Sequence, residues 1–147
     1  MKTDSDEGLK RFSDADFPDQ NLSGLVIAAG YAVHQAFGYG FLESVYKKAL
    51  VVELRHKGAA VDQEVRFDLT HRGVNVGVYR ADVIVEGRII IEVKTGLLPD
   101  PVAGGQLLNY LAASHLTLGL LLHFGPRLEI KRVIHDTRRA SRRAAQK

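Results

Sequence analysis

No cysteine occurs in the 147 residues, and Met1 is the only methionine. A disulfide framework and a thiolate zinc site are thereby excluded, and sulfur chemistry plays no part. No stretch approaches the roughly 18 apolar residues that a membrane span needs, and the opening MKTDSDEGLKRF has no apolar core of signal-peptide length. The expectation is a cytoplasmic protein in a reducing compartment, with no membrane contact. The histidines His34, His56, His71, His115, His123 and His135 show no H-E-x-x-H spacing, which argues against a zinc site. Ser114-His115 has no nucleophile-elbow context, and Gly104-Gly105 does not form a phosphate loop. His34 reads instead as a hydrogen-bonded structural histidine. There is no internal repeat, no low-complexity block and no Pro/Gly linker. At 46% hydrophobic and 25% charged, the chain is most economically one globular domain.

The net charge of +3 conceals an asymmetry. Residues 1–20 hold six acids (Asp4, Asp6, Glu7, Asp14, Asp16 and Asp19) against three bases. Residues 127–147 hold eight bases against Glu129 and Asp136. The expected organisation is an acidic, flexible lead over 1–20, a folded domain over 21–136 and a basic tail over 137–147. The basic end is where an anionic partner such as nucleic acid would be drawn.

Helical periodicity begins near Asn21, a candidate N-cap, with Leu22, Leu25, Val26, Ala29 and Val33 at spacings of three and four. Gly24 and Gly30 weaken that pattern and Gly38 ends it. A second helix is predicted from about Phe41 to Lys57, with Gly58 as its stop. From Ala60 the period becomes two, giving a strand up to HRG, then strands over about Val76–Val85 and Arg88–Thr95. A third helix is expected from Val102, after Pro101, to Ser114. LTLGLLLHFG reads as a fully buried strand and RLEIKRVIHD as a final amphipathic one. This order implies an α/β domain with one mixed sheet flanked by helices.

Into these strands are set Asp82, Glu92 and Lys94. Glu92 and Lys94 share a face if their strand is regular. The position of Asp82 depends on the hairpin. A two-residue turn at Glu86-Gly87 puts Asp82 opposite Ile91, whereas a three-residue loop including Arg88 sets it across from Glu92. Opposed carboxylates are destabilising, so the second register needs a compensating cation or metal. Each residue also has a plainer reading: Asp82 paired with Arg80 or Lys94 at the surface, Glu43 and Lys47 as an i,i+4 pair, and Tyr110 as core packing. Gln106 and Tyr110, four apart and about 40° around the helix axis, occupy a face distinct from Leu107, Leu108 and Leu111.

VHQAFGYGFLESVYKKAL contains Gly40-x-x-Glu43-x-x-Tyr46. Together with YRADVIVEGRIIIEVKT and QLLNYL, it resembles the GxxExxY proteins, a group within the PD-(D/E)XK nuclease superfamily. The resemblance runs from about Leu22 to Val133. It departs at Tyr39, where the group usually has Pro. It implies a restriction-endonuclease-like sheet in which Asp82 is the acid of the second core strand, Glu92 and Lys94 are the E-x-K of the third, and Glu43 is the helix-borne acid. Gln106 and Tyr110 resemble the Q-x-x-x-Y pair of the recombination-type branch.

The residue types suit that chemistry on their own account. Phosphodiester hydrolysis develops negative charge, and hard oxygen ligands suit Mg2+ or Mn2+. Asp82 and Glu92 are the candidate ligands, with Glu43 and the Val93 backbone carbonyl completing the set. Lys94 is the candidate to orient or deprotonate water, and Gln106 and Tyr110 to orient Lys94 or the phosphate. The expected partner is nucleic acid, DNA ahead of RNA. Monomer and homodimer both stay open. The rival expectation is a binding or interaction module that keeps the fold without chemistry.

Overall fold

The computed structural model describes residues 20–136. The acidic lead and the basic tail read from the sequence lie outside them, apart from Gln20. Helix α1 (Gln20–Phe37) buries Leu22, Val26, Ala29 and Val33, the stripe its spacing predicts. Asn21 lies inside that helix and does not cap it. Helix α2 (Glu43–His56) starts later than its apolar pattern suggests because Leu42, its N-cap, is extended at φ −65° and ψ 150°.

Five strands follow in the order β1-β2-β3-β4-β5 across one sheet: β1 (Val61–His71), β2 (Val74–Val85), β3 (Ile89–Thr95), β4 (Leu118–Phe124) and β5 (Leu128–Ile134). Strand β2 begins earlier than expected, since Arg72 (φ 49°) and Gly73 (φ 78°) form a tight turn that lets His71 pair with Val74. Helix α3 (Ala103–Ser114) carries the chain from β3 to its parallel neighbour β4; the other neighbours are antiparallel. The architecture is therefore the mixed sheet flanked by helices that the sequence implied. No described helix is long and apolar enough to cross a membrane.

The sheet separates two apolar layers. Ile89, Ile91 and Val93 of β3 join α1 and α2 on one face, while Ile90 joins Leu107 and Leu111 of α3 on the other. All seven residues of β4 are buried, as a strand covered on both faces must be. Two glycines permit this close stacking. A Cβ on Gly30 of α1 would come within 2.9 Å of Leu122, and one on Gly119 of β4 within 2.8 Å of Leu107. Leu107 is fully buried, and its Cγ as well as both methyl groups lie within 3.0 Å of that position. Gly119→Ala is therefore expected to destabilise the fold by about 1–3 kcal/mol. Urea unfolding measures this, and an unchanged midpoint would refute the overpacking.

Candidate functional site

The hairpin between β2 and β3 decides where the carboxylates meet. Glu86 (φ 53°) and Gly87 (φ 63°) make the turn, and Arg88 N–H donates to the Val85 carbonyl at 3.0 Å. Yet Val85 pairs with Ile89, which leaves Arg88 as the extra residue of a three-residue loop. Ile84 then pairs with Ile90 and Val83 with Ile91, so the next step sets Asp82 across from Glu92.

The ladder stops there, because β2 changes face at Asp82. Tyr79, Ala81 and Ile84 belong to the α3-side layer, whereas Val83 and Val85 belong to the other. On the β1 side the pairing passes from Gln63–Val83 to Val65–Ala81 and skips Glu64, whose φ is 50°. Strand β2 parts from β3 at this point, and the Asp82 carboxylate fills the gap, its Oδ2 accepting a hydrogen bond from Val93 N–H at 3.2 Å. An unpartnered buried N–H costs about 1–3 kcal/mol, so the carboxylate also closes the sheet's hydrogen bonding. In an extended strand the N–H and C=O of a residue leave on the same side. The Val93 carbonyl therefore borders the same gap.

Glu92 and Lys94 point to the α3 side. With Tyr79, Arg80, Gln106, Leu107 and Tyr110 they line a pocket of about 320 Å³. Tyr79 donates its hydroxyl proton to Glu92 Oε1. Its ring stacks on Tyr110, with centroids 3.5 Å apart and planes 9° apart, and on Phe67 at 6.1 Å and 16°. Burial, and then the hydrogen bond to Glu92, hold the Tyr79 hydroxyl well above the ordinary tyrosine range, so it stays a donor. The Glu92 carboxyl is pushed up to about 7, first by burial and then by the adjacent Asp82 charge and a hydrogen bond between the two carboxyl groups. Tyr79 and Lys94 pull in the opposite direction without prevailing.

From α2, on the other side of the sheet, Lys47 Nζ lies 3.3 Å from Asp82 Oδ1 and 3.8 Å from Glu64 Oε1. Burial opposes the Lys47 charge, but Asp82, Glu64 and Glu43 outweigh it and raise the ammonium above its ordinary value. The structure thus sets Asp82 beside Glu92 and gathers Glu92, Lys94, Gln106 and Tyr110 around one pocket. Glu43 does not line that pocket; it opens α2 one turn before Lys47. Among the described residues, no three His, Asp or Glu side chains form a ready-made metal cluster.

Three residues escaped sequence reasoning as parts of this site: Tyr79, Lys47 and Glu64. Tyr79 and Asp82 are three apart, which in a regular strand places them on opposite faces. Only the change of face at Asp82 brings both to Glu92. Lys47 carried the one usable signal, four residues after Glu43, but it reaches past that partner to β2. His34 is the structural histidine expected, its Nε2 bonded to the Gly125 carbonyl oxygen at 2.9 Å.

The raised Glu92 has a measurable consequence in the metal-free protein. Its folded value of about 7 exceeds its ordinary 4.5, so across that window the folded state binds more protons than the unfolded. This group's contribution to stability falls as pH rises from about 4.5 to 7 and is flat above. Glu92→Gln abolishes the titration, so its melting temperature should gain on the wild type through that window. Thermal unfolding in EDTA tests this, and parallel pH profiles for the two proteins would refute it.

The sequence pattern of the PD-(D/E)XK nuclease superfamily matches residues 20–133. No curated protein matches the chain. A solved crystal structure, that of SSO0001, is similar at a TM-score of 0.48 and 23% identity, over 86% of this chain and 65% of that one.

Proposed function

Since the chain belongs to the PD-(D/E)XK nuclease superfamily, we propose that it is a metal-dependent nuclease of the GxxExxY type that hydrolyses phosphodiester bonds of nucleic acid, DNA in the first place. The observation that carries this reading is the Asp82 carboxylate seated in the gap between β2 and β3, bonded to the N–H of Val93 between Glu92 and Lys94, with those two side chains sharing one pocket. Two neighbouring carboxyl groups, one raised to about 7 by burial and by the other's charge, call for a positive partner. Their oxygens and the Val93 carbonyl form a hard donor set, and Mg2+ characteristically uses one or two carboxylates and keeps several waters. The residues therefore fit Mg2+ or Mn2+, which Asp82, Glu92 and Val93 would hold, while Glu43 stands one helical turn from Lys47. Such an ion polarises the phosphoryl oxygens and lowers the pKa of water.

Each neighbouring residue has its own part. Lys94 orients the attacking water and balances charge developing on the phosphoryl oxygens. Gln106 borders Lys94 and the phosphate from α3. Tyr110 supports Tyr79 by stacking, and Tyr79 fixes the orientation of Glu92. Exposed Arg127, Lys131 and Arg132 suit a polyanionic substrate. The proposed compartment is the cytoplasm.

Cleavage of labelled single- and double-stranded DNA and RNA with Mg2+, Mn2+ or EDTA, beside Asp82→Ala and Lys94→Ala proteins, tests the reading and identifies the polymer. Metal-dependent cleavage lost in both variants is the expected result. One observation favours the rival binding module: Lys47 and Tyr79 already partner both carboxyl groups. Salt-sensitive binding without cleavage under any metal would decide for it.

A further inference from the structure

Lys47 takes no part in the proposed hydrolysis, yet its ammonium is bonded directly to Asp82. Its stem leaves α2 and brings the ammonium to 3.3 Å from Asp82 Oδ1 and 3.8 Å from Glu64 Oε1, with Glu43 one helical turn behind. Carboxylates from β1 and β2 thus converge on one ammonium, and the charge of Glu43 on α2 adds to their pull. The side chain is only 25% exposed, so water screens the cluster incompletely. Glu64 faces Lys47 from the point where the β1–β2 ladder skips a pair, in a backbone conformation (φ 50°) that non-glycine residues seldom adopt. With Oδ2 engaged by Val93 N–H, both Asp82 oxygens are occupied.

We propose that Lys47 is the resident counter-cation of the acid site: its ammonium neutralises Asp82 in the metal-free protein, a divalent ion enters by exchange against it, and Lys47 thereby sets the site's affinity for metal. The proposal rests on the metal-binding reading of Asp82 and Glu92. It explains how the neighbouring carboxyl groups persist without an ion, since a positive charge stands at each, Lys47 of α2 at Asp82 and Lys94 of β3 near Glu92. A lysine suits exchange because its four-carbon stem is flexible and its ammonium is a compact point charge. Once displaced from Asp82, the ammonium keeps Glu64 as a partner. Lys47 is here a positioning and tuning residue, not one that touches the reacting phosphate.

The test is calorimetric titration of Mn2+ into the full chain without nucleic acid, for wild type, Lys47→Gln, Lys47→Met, Lys47→Arg and the Lys47→Gln/Asp82→Ala double variant, with melting temperatures in EDTA and in Mn2+. A unit charge removed from beside a metal ligand should tighten binding by at least about tenfold in the two neutral variants. Lys47→Arg should stay within a few-fold of wild type, and the double variant should lose the gain. In EDTA the neutral variants should melt lower than wild type, and Mn2+ should raise their melting temperature by more. A purely structural lysine would lower the melting temperature without tightening Mn2+ binding. Equal or weaker Mn2+ binding by the neutral variants overturns the proposal and leaves the metal site standing. Binding by none of the proteins overturns the metal reading and the proposal together. Neutral variants that stay unfolded even in Mn2+ overturn the proposal as well, because it requires the ion to replace the ammonium.

Discussion

Lys94→Ala should cleave nucleic acid at least about 10²-fold more slowly than wild type while folding normally. Lys94 is half-buried on β3, two residues beyond Glu92 and on the same face, and it borders the pocket together with Gln106 and Tyr110. Its charge already acts within the site, pulling the Glu92 carboxyl down against burial and Asp82. On the proposed nuclease reading, its removal takes away a positive group that borders the pocket beside Glu92 and would face the developing phosphoryl charge. Interactions stronger in the transition state than in the bound substrate appear in kcat, so the loss should fall there more than in KM. Stability should change by less than about 1 kcal/mol, as expected where no core packing or buried hydrogen bond is lost. Lys94→Arg keeps the charge but presents a broader planar fork and should recover part of the rate. Single-turnover cleavage beside thermal unfolding makes the comparison. A Lys94→Ala protein within threefold of wild type would remove Lys94 from the chemistry and shift the weight to the binding-module reading.

The strand and helix order was legible because each element announces itself through local periodicity. The all-apolar LGLLLHF of β4 and the alternation in β1 needed no tertiary information. Helix α1 was legible despite Gly24 and Gly30, and the structure explains Gly30, where the helix approaches Leu122 too closely for a side chain. The Asp82–Glu92 register was not legible, because Gly87 is compatible with either loop length. The outcome rests on Val85 pairing with Ile89, a choice made by burial of Ile89, Ile91, Val83 and Val85 in one layer. Lys47 and Tyr79 were hidden for a different reason. They reach the carboxylates through the separation of β2 from β3, and regular alternation cannot foresee such an irregularity. Glu43 shows the reverse case: the motif marks it as a ligand, while the structure leaves it beside Lys47 and off the α3-side pocket.

The largest loss of stability is expected from Tyr46→Ala, at the last position of the G-x-x-E-x-x-Y motif. Tyr46 is fully buried and stacks on Phe124 with centroids 4.6 Å and planes 18° apart. Phe41 meets its edge at 6.4 Å and 78°. The hydroxyl donates to the Gly38 carbonyl at 2.6 Å and accepts from Phe41 N–H at 3.3 Å. Those bonds clasp the Gly38–Leu42 segment between α1 and α2, where Gly38 (φ 67°) and Gly40 (φ 114°) adopt backbone angles that favour glycine. Truncation to alanine should cost about 3–5 kcal/mol through the cavity and the lost ring contacts, and so lower the melting temperature by roughly 10 °C or more. Tyr46→Phe keeps the ring, leaves two backbone groups without their partner and should cost about 1–2 kcal/mol. Two of the three motif positions thus serve the backbone, Gly40 through its φ and Tyr46 through the clasp, and together they set where α2 begins. Glu43 is the first residue of that helix and Lys47 lies one turn on, so a loosened clasp should disturb the Lys47–Asp82 contact as well. The Tyr46→Ala protein, assayed well below its melting temperature, should consequently bind Mn2+ with altered affinity where Gly30→Ala, overpacked against Leu122 and Leu128 away from the pocket, does not. Equal Mn2+ binding by both variants would confine Tyr46 to the core and detach the motif from the acid site.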